Sequence, residues 1–387
     1  MKKFGLKIFP ALICGALLIG CISKVEEPQN EEEPPTENPT EPVLGQIKSM
    51  GFTQPIVDMP DVLYKHKFRP KLKLIEDTLF VCSYTGIYKK NLYDDTDFEI
   101  YAFENVPIRE FVKNGNQLLA SKEYDGDYIE FNTDSLLLLS NDNGQTFIDF
   151  TPSYFLYWED AYLGYNYLFR IVQNPKNPNS LLVLSLYSGI SKSDDFGVSW
   201  ETLHEECFGY QNWDLAFHPL DTTTLFCTGE SMIFFAGIRK SSDNGKTWSL
   251  HEKDNNCFHS IAFHPTNPDI LALGGEYLFE KSTDKGETWN APSDGGDMYF
   301  YKVLFDEENP EILYASGVNR DPDNDPTHDI IFVYRSTDMG DSWHLFYQEY
   351  VGEECGYVRD MVKYKNKLIF YTRDWELFEL DLENTSN

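Results

Sequence analysis

The sequence predicts an all-β chain made of repeated four-stranded antiparallel blades. Three observations predict it. The pattern Ser-x-Asp-x-Gly-x-(Ser/Thr)-aromatic occurs five times at intervals of roughly 40–55 residues, a period that belongs to propeller blades or solenoid repeats. Between copies, an Asn/Pro/Asp-rich turn recurs with apolar runs on both sides, as in Phe263-His264-Pro265-Thr266-Asn267-Pro268-Asp269 followed by Ile270-Leu271-Ala272-Leu273. Aromatic residues make up 15% of the 387 positions, a composition that favours strands over helices.

The chain opens with a targeting segment. Lys2, Lys3 and Lys7 precede an apolar core from Ile8 to Ile19 that is short for a membrane-spanning helix. Leu18-Ile19-Gly20-Cys21 resembles the bacterial lipobox. The resemblance implies a signal peptide over 1–20, cleavage before Cys21 and lipidation of its thiol. Asp is absent after Cys21, which favours the outer membrane or cell surface. Glu26 to Pro42 is almost all Glu, Pro, Thr and Asn and cannot bury a core, so 21–44 reads as a lipidated Cys followed by an extended spacer. The propeller then occupies 45–387.

Blade one, about 62–104, has strand-like Leu79-Phe80-Val81-Cys82, but its Asn91 to Phe98 has lost the repeated motif. Blades two to six carry the five full copies, which we call boxes. Their aspartates are Asp142, Asp195, Asp243, Asp284 and Asp338, their glycines Gly144, Gly197, Gly245, Gly286 and Gly340. Ser and Asp side chains cap backbone N–H groups of a tight turn, Gly permits positive φ, and the aromatic packs between repeats. Blade seven begins near Tyr357 and has three strands, so Ile47 to Thr53 is expected to supply the fourth and tie the ends together. The count is seven blades; six is the alternative.

The boxes resemble the Asp-box, or bacterial neuraminidase repeat, of sialidases, two-propeller xyloglucanases, sortilin and a photosystem assembly factor. The resemblance implies a β-propeller in which each box is the turn between the third and fourth strands. It implies a structural role for the box aspartates and places a ligand site on the opposite face. His218 and His264 fall in the Asn-Pro turns, where capping is their expected role.

On the opposite face, each inner strand is expected to start with a polar residue: Arg69, Glu110, Arg170, Asp214, Ser260, Lys302 and Asp360, with Arg359 beside the last. These form either a polar binding site or a self-neutralising ring. Tyr157 and Trp158 in one loop, Tyr210 and Trp213 in the next, and Tyr301 add aromatic rings beside carboxylates, a combination that suits sugars. Glu230 and Glu276 follow Gly229 and Gly275 at matching turns; as a pair they would serve as glycosidase acid and base. A sialidase-like site would combine Arg69 and Arg170 with a third arginine, Arg320 or Arg373. Phe68-Arg69-Pro70 departs from the Phe/Tyr-Arg-Ile-Pro opening of that family.

A net charge of −31 argues against a nucleic-acid partner. Of seven cysteines, Cys82, Cys207, Cys227, Cys257 and Cys355 lie beyond the anchor without close CxxC spacing, which speaks against a zinc or redox site; a Cys207–Cys257 disulfide remains open. No cofactor or metal is implied. The expected partner is a glycan or an envelope protein, with membrane contact through the lipid alone. A non-catalytic binding propeller is the leading expectation; a glycoside hydrolase and an envelope assembly or folding factor are the alternatives.

Overall fold

The structure, a computed structural model, describes residues 47–53, 71–122, 136–150, 168–185, 189–204, 210–231, 236–253, 258–275, 278–292, 298–319, 330–350, 358–372 and 376–383. They form seven antiparallel sheets and no helix. Six sheets have four strands, and the fifth blade has three, with an isolated Lys281–Asn290 bridge where its fourth would run. The innermost strands are Leu72–Ile75, Ile108–Asn114, Leu168–Asn174, Tyr210–Phe217, Phe258–Phe263, Met298–Phe305 and Val358–Tyr364. Each blade contacts the next, and the seventh contacts the first, so the seven form a closed propeller. The count of seven stands over six. Ile47–Thr53 pairs with the last strand, Glu376–Asp381, and completes the seventh blade.

Packing follows from strand geometry. Successive side chains of a strand point to opposite faces, and in a propeller both faces of every blade are covered by neighbours. The apolar side chains accordingly divide into seven clusters, one for each junction between blades. In blade three, Leu181 and Val183 pack towards blade two, while Leu182 and Leu184 pack towards blade four. That two-sided burial explains why second strands such as Leu181-Leu182-Val183-Leu184 are apolar throughout instead of alternating.

The boxes lock this arrangement from one end. In the first, Ser140 Oγ accepts the N–H groups of Asp142 and Gly144 and donates to Asp142 Oδ1. Asp142 then accepts the Thr146 N–H at 2.9 Å and its hydroxyl at 2.6 Å. The same set recurs at Asp195, Asp243, Asp284 and Asp338. Hydroxyl and N–H donors hold the carboxyls of Asp142, Asp243 and Asp284 down at about 2.

Left-handed backbone at the glycine was expected; the residue before it adopts the same conformation, which was not. Asn143, Phe196, Asn244, Lys285 and Met339 have φ of 59°, 57°, 63°, 61° and 56°. Each turns its N–H onto a carbonyl of the first turn of its own blade, at 2.8–2.9 Å. The glycine beside it faces the preceding blade. A Cβ at Gly144 would stand 2.1 Å from Ala102 Cβ, and one at Gly340 2.4 Å from the Phe279 ring. The box tryptophans pack on that preceding blade too, as in the edge-on contact of Trp343 with Phe279 at 5.0 Å.

At the same end, His218 Nδ1 accepts the N–H groups of Leu220 and Asp221, and His264 Nδ1 those of Thr266 and Asn267. Both histidines are therefore turn caps. Asn174 and Asp306 do the same job in their blades with a side-chain oxygen.

Candidate functional site

The face opposite the boxes is where the inner strands begin. Six of the seven inner strands carry a β-bulge at the same place. Pairing skips one residue between Ile108 and Glu110, Leu168 and Arg170, Asn212 and Asp214, Phe258 and Ser260, Phe300 and Lys302, and Val358 and Asp360. A bulge re-aims the side chain that follows it. Here it brings Glu110, Arg170, Asp214, Ser260, Lys302 and Asp360 to one level of the channel wall.

The first blade corrects the sequence reading. Counting back from its two-residue turn, Leu72 pairs with Val81 and the Lys71 carbonyl accepts the Cys82 N–H, so Lys71 holds the position assigned above to Arg69. Arg69 lies outside the described residues. Turn alignment was the available signal: Asn114 pairs with Gln117 and Ile75 with Thr78 across equally short turns, and Glu110 and Lys71 are equidistant from them.

The seven residues form a charge belt. The Arg170 guanidinium donates to Glu110 at 2.9 and 3.1 Å on one side and to Asp214 on the other. Lys302 Nζ is 3.3 Å from Asp360. The acceptors also stitch blade to blade. Glu110 accepts the Ile171 N–H at 3.0 Å, Asp214 that of Ile261 at 3.3 Å, Ser260 that of Val303 at 3.2 Å and Asp360 that of Leu72 at 2.9 Å. Asp214, Ser260 and Asp360 are buried. Burial alone would raise the Asp360 carboxyl, but Lys302 and Lys71 overcome it and hold the group below the usual carboxylate range.

A cavity of about 330 Å³ opens in the wall between blades one, two and three. Lys71, Lys73, Cys82, Glu110, Phe111 and Gln173 line it. Lys73 donates to the Phe111 carbonyl at 3.1 Å, and Gln173 to the Lys113 carbonyl at 2.9 Å. Desolvation and then Arg170 hold Lys71 down at about 7, against the raising effect of Asp360 and Glu110. Burial first, with Glu110, pushes the Cys82 thiol up, so it is no nucleophile at neutral pH. Lys71, Lys73 and Gln173 were not singled out from the sequence.

The other expected site residues are only partly assembled. Tyr210, Trp213 and Glu230 lie on paired strands of blade four, with Gln211 opposite Glu230. Arg359 occupies the bulge of blade seven. Tyr301 follows the buried Tyr299 and Phe300, and its ring lies 5.0 Å from that of His259. Tyr157, Trp158, Glu276, Arg320, Arg373, Cys207, Cys257 and Cys355 lie outside the described residues, as does Cys21. Cys82 and Cys227 are buried. Among the described residues no three His, Cys, Asp or Glu side chains are placed to hold a metal ion.

Comparison with known proteins yields no matching family model. An alignment of 159 positions, which covers 37% of this chain and 17% of the other, shows 28% identity to sortilin of Danio rerio. Among solved structures, the GH74 xyloglucanase of Xanthomonas campestris is similar over 88% of this chain and 54% of its own, with a TM-score of 0.58 and 15% identity. YCF48 of Cyanidioschyzon merolae is similar over 81% and 95%, with a TM-score of 0.55 and 11% identity. A chain of a mitotic checkpoint complex reaches a TM-score of 0.57 at 13% identity over 96% and 99%. The propeller fold is thereby established. Such dissimilar hosts show that activity has to be argued from the site.

Proposed function

We propose that this chain is a tethered, non-catalytic binding propeller that recognises a glycan or a protein through the face opposite the boxes. The observation that carries this reading is the engagement of Arg170. Its guanidinium is held by Glu110 and Asp214, and Glu110 is further occupied by the Ile171 N–H. Arg170, which a sialidase-like site would need at the channel, is thus committed to holding blades together, which disfavours the hydrolase reading. A role in assembling envelope proteins is the second reading; the similarity to a YCF48 structure bound to D1 peptide supports it. In this proposal the repeated turns are Asp-boxes, and a lipid on Cys21 holds the propeller at the outer membrane or cell surface.

The test is a glycan array and a membrane pull-down with the full chain. Saturable binding to one glycan class, or recovery of one dominant protein, is expected, and metabolic labelling with an alkyne fatty acid is expected to mark the chain unless Cys21→Ser is present. Release of fluorophore from sialyl or glucan reporters, lost in Glu230→Gln or Glu276→Gln, overturns the non-catalytic reading.

A further inference from the structure

The belt repeats one contact with a single break. In each inner strand, the residue after the belt position turns its N–H away from its own sheet and into the channel wall. Six of these seven N–H groups meet a side-chain oxygen. Ile171, Ile261, Val303 and Leu72 use the acceptor of the preceding blade, as described above, while Leu215 and Met361 use Asp214 and Asp360 next to them. The seventh is the N–H of Phe111. As at Leu215 and Met361, the preceding blade offers it a donor, here Lys71, but its own neighbour Glu110 is turned to Arg170 and the Ile171 N–H, and among the described residues no side-chain oxygen meets it.

The charges break at the same point. Arg170 is shared by two carboxylates and Lys302 faces Asp360. Lys71 Nζ has no hydrogen-bond or ion-pair partner among the described residues. One layer deeper, the corresponding positions are Lys73, Val112, Val172, Ala216, Ala262, Leu304 and Val362, so Lys73 is the one charge there. Lys71, Lys73, Arg170 and Lys302 thus face Glu110, Asp214 and Asp360, leaving one positive charge over. Both unmatched groups, the ammonium and the N–H, adjoin the same cavity, since Lys71 and Phe111 both line it.

We infer that this cavity binds a single carboxylate group, with one oxygen accepting from Phe111 N–H and the group paired with Lys71 Nζ. The bound group takes the place that Glu110, Asp214 and Asp360 fill at the other blades. One negative charge cancels the surplus, whereas a dianion would leave an uncompensated charge beside Glu110. The volume admits a group about the size of ten water molecules, enough for acetate or for one acidic sugar. This inference concerns the channel wall and stands whether or not the outer face binds a glycan or a protein.

The test uses the full chain labelled with 15N-phenylalanine, near pH 6, where Lys71 is protonated. The Phe111 amide resonance is assigned by its loss in Phe111→Leu. Sodium acetate and sodium glucuronate are titrated against sodium chloride at matched ionic strength. A saturable downfield shift of that resonance with a carboxylate, and none with chloride, is expected. Response to acetate marks a site for the bare group, and response to glucuronate alone marks a site for an acidic sugar. Lys71→Met is expected to weaken the response about tenfold or more, while the exposed Lys246→Met leaves it unchanged. Lys71→Glu supplies the acceptor internally: the Phe111 amide should start downfield and ignore acetate. No carboxylate-specific response in the parent chain, or an equal response in Lys71→Met and Lys71→Glu, overturns the inference and leaves the proposed binding function untouched.

Discussion

The two ends of the same blades are held in different ways. At the box end, the hydrogen bonds that shape each turn are made within about eight residues, plus one bond to the first turn of the same blade. The five copies are near-identical because each is complete in itself. At the other end, the charged residues of the belt depend on partners in neighbouring blades. Glu110 relies on blade three, Asp360 on blade one, and Arg170 spans two neighbours. A self-contained device can be copied, so it repeats. A shared one has to differ from blade to blade, because a cation at one position needs an anion at the next. The contrast teaches where specificity can be built: the box end has no freedom to vary, and the channel end varies by construction.

The contrast can be broken from either side. Removing Arg170 should have the largest effect. Arg170→Met leaves two largely buried carboxylates facing each other, and the loss should be about 3–5 kcal/mol by urea denaturation. Adding Glu110→Gln and Asp214→Asn should restore part of it; additive losses would show that the belt is not a network.

Gly144→Ala comes next. A left-handed alanine costs about 1–2 kcal/mol and the clash with Ala102 about 1–3 kcal/mol, so the urea midpoint should fall clearly. Gly115→Ala shares the positive φ but has nothing within 4 Å, and should lose only the conformational part. Equal losses would mean that the box glycine is not an inter-blade contact.

Asp195→Ala removes one cap set and should cost about 1 kcal/mol, in the range of helix-cap deletions. Its effect should be independent of Asp243→Ala, since the boxes share no partner. The smallest effect is on pH. A carboxyl whose folded pKa lies below its unfolded value stabilises the fold above the unfolded value and loses that contribution as pH falls through the folded one. Asp142, Asp243 and Asp284 sit at about 2, so their share should persist at neutral pH and disappear between about 4 and about 2. Carbon-detected titration of the aspartate carboxyls checks it; midpoints near 4 would mean that the box hydrogen bonds are not kept in solution.

Legibility in the sequence followed the same division. The five boxes, the capping histidines and the position of the strands can be read from neighbouring letters, since the groups that satisfy one another lie within a few residues. The belt was found at six of seven positions because a polar residue interrupts each apolar run. It failed at the first blade, where the belt position falls on Lys71, immediately before the strand Leu72–Ile75. The reason is that a bulge is set by pairing with the next strand, not by the residue itself. Gln173 and Lys73 gave no signal: an isolated polar residue in an inner strand gains meaning only from what stands across the channel.

The sequence by itself determined the repeat, the turn chemistry and the all-β architecture, because these rest on φ preferences and on hydrogen bonds between near neighbours. Tertiary structure alone decided which face of each strand meets which blade. It also decided that Arg170 serves two carboxylates, and that Lys71 and the Phe111 N–H are left together in one cavity. Those outcomes depend on closing the ring, which brings residues 71 and 360 into register across nearly the whole chain. No local preference of either residue specifies that meeting.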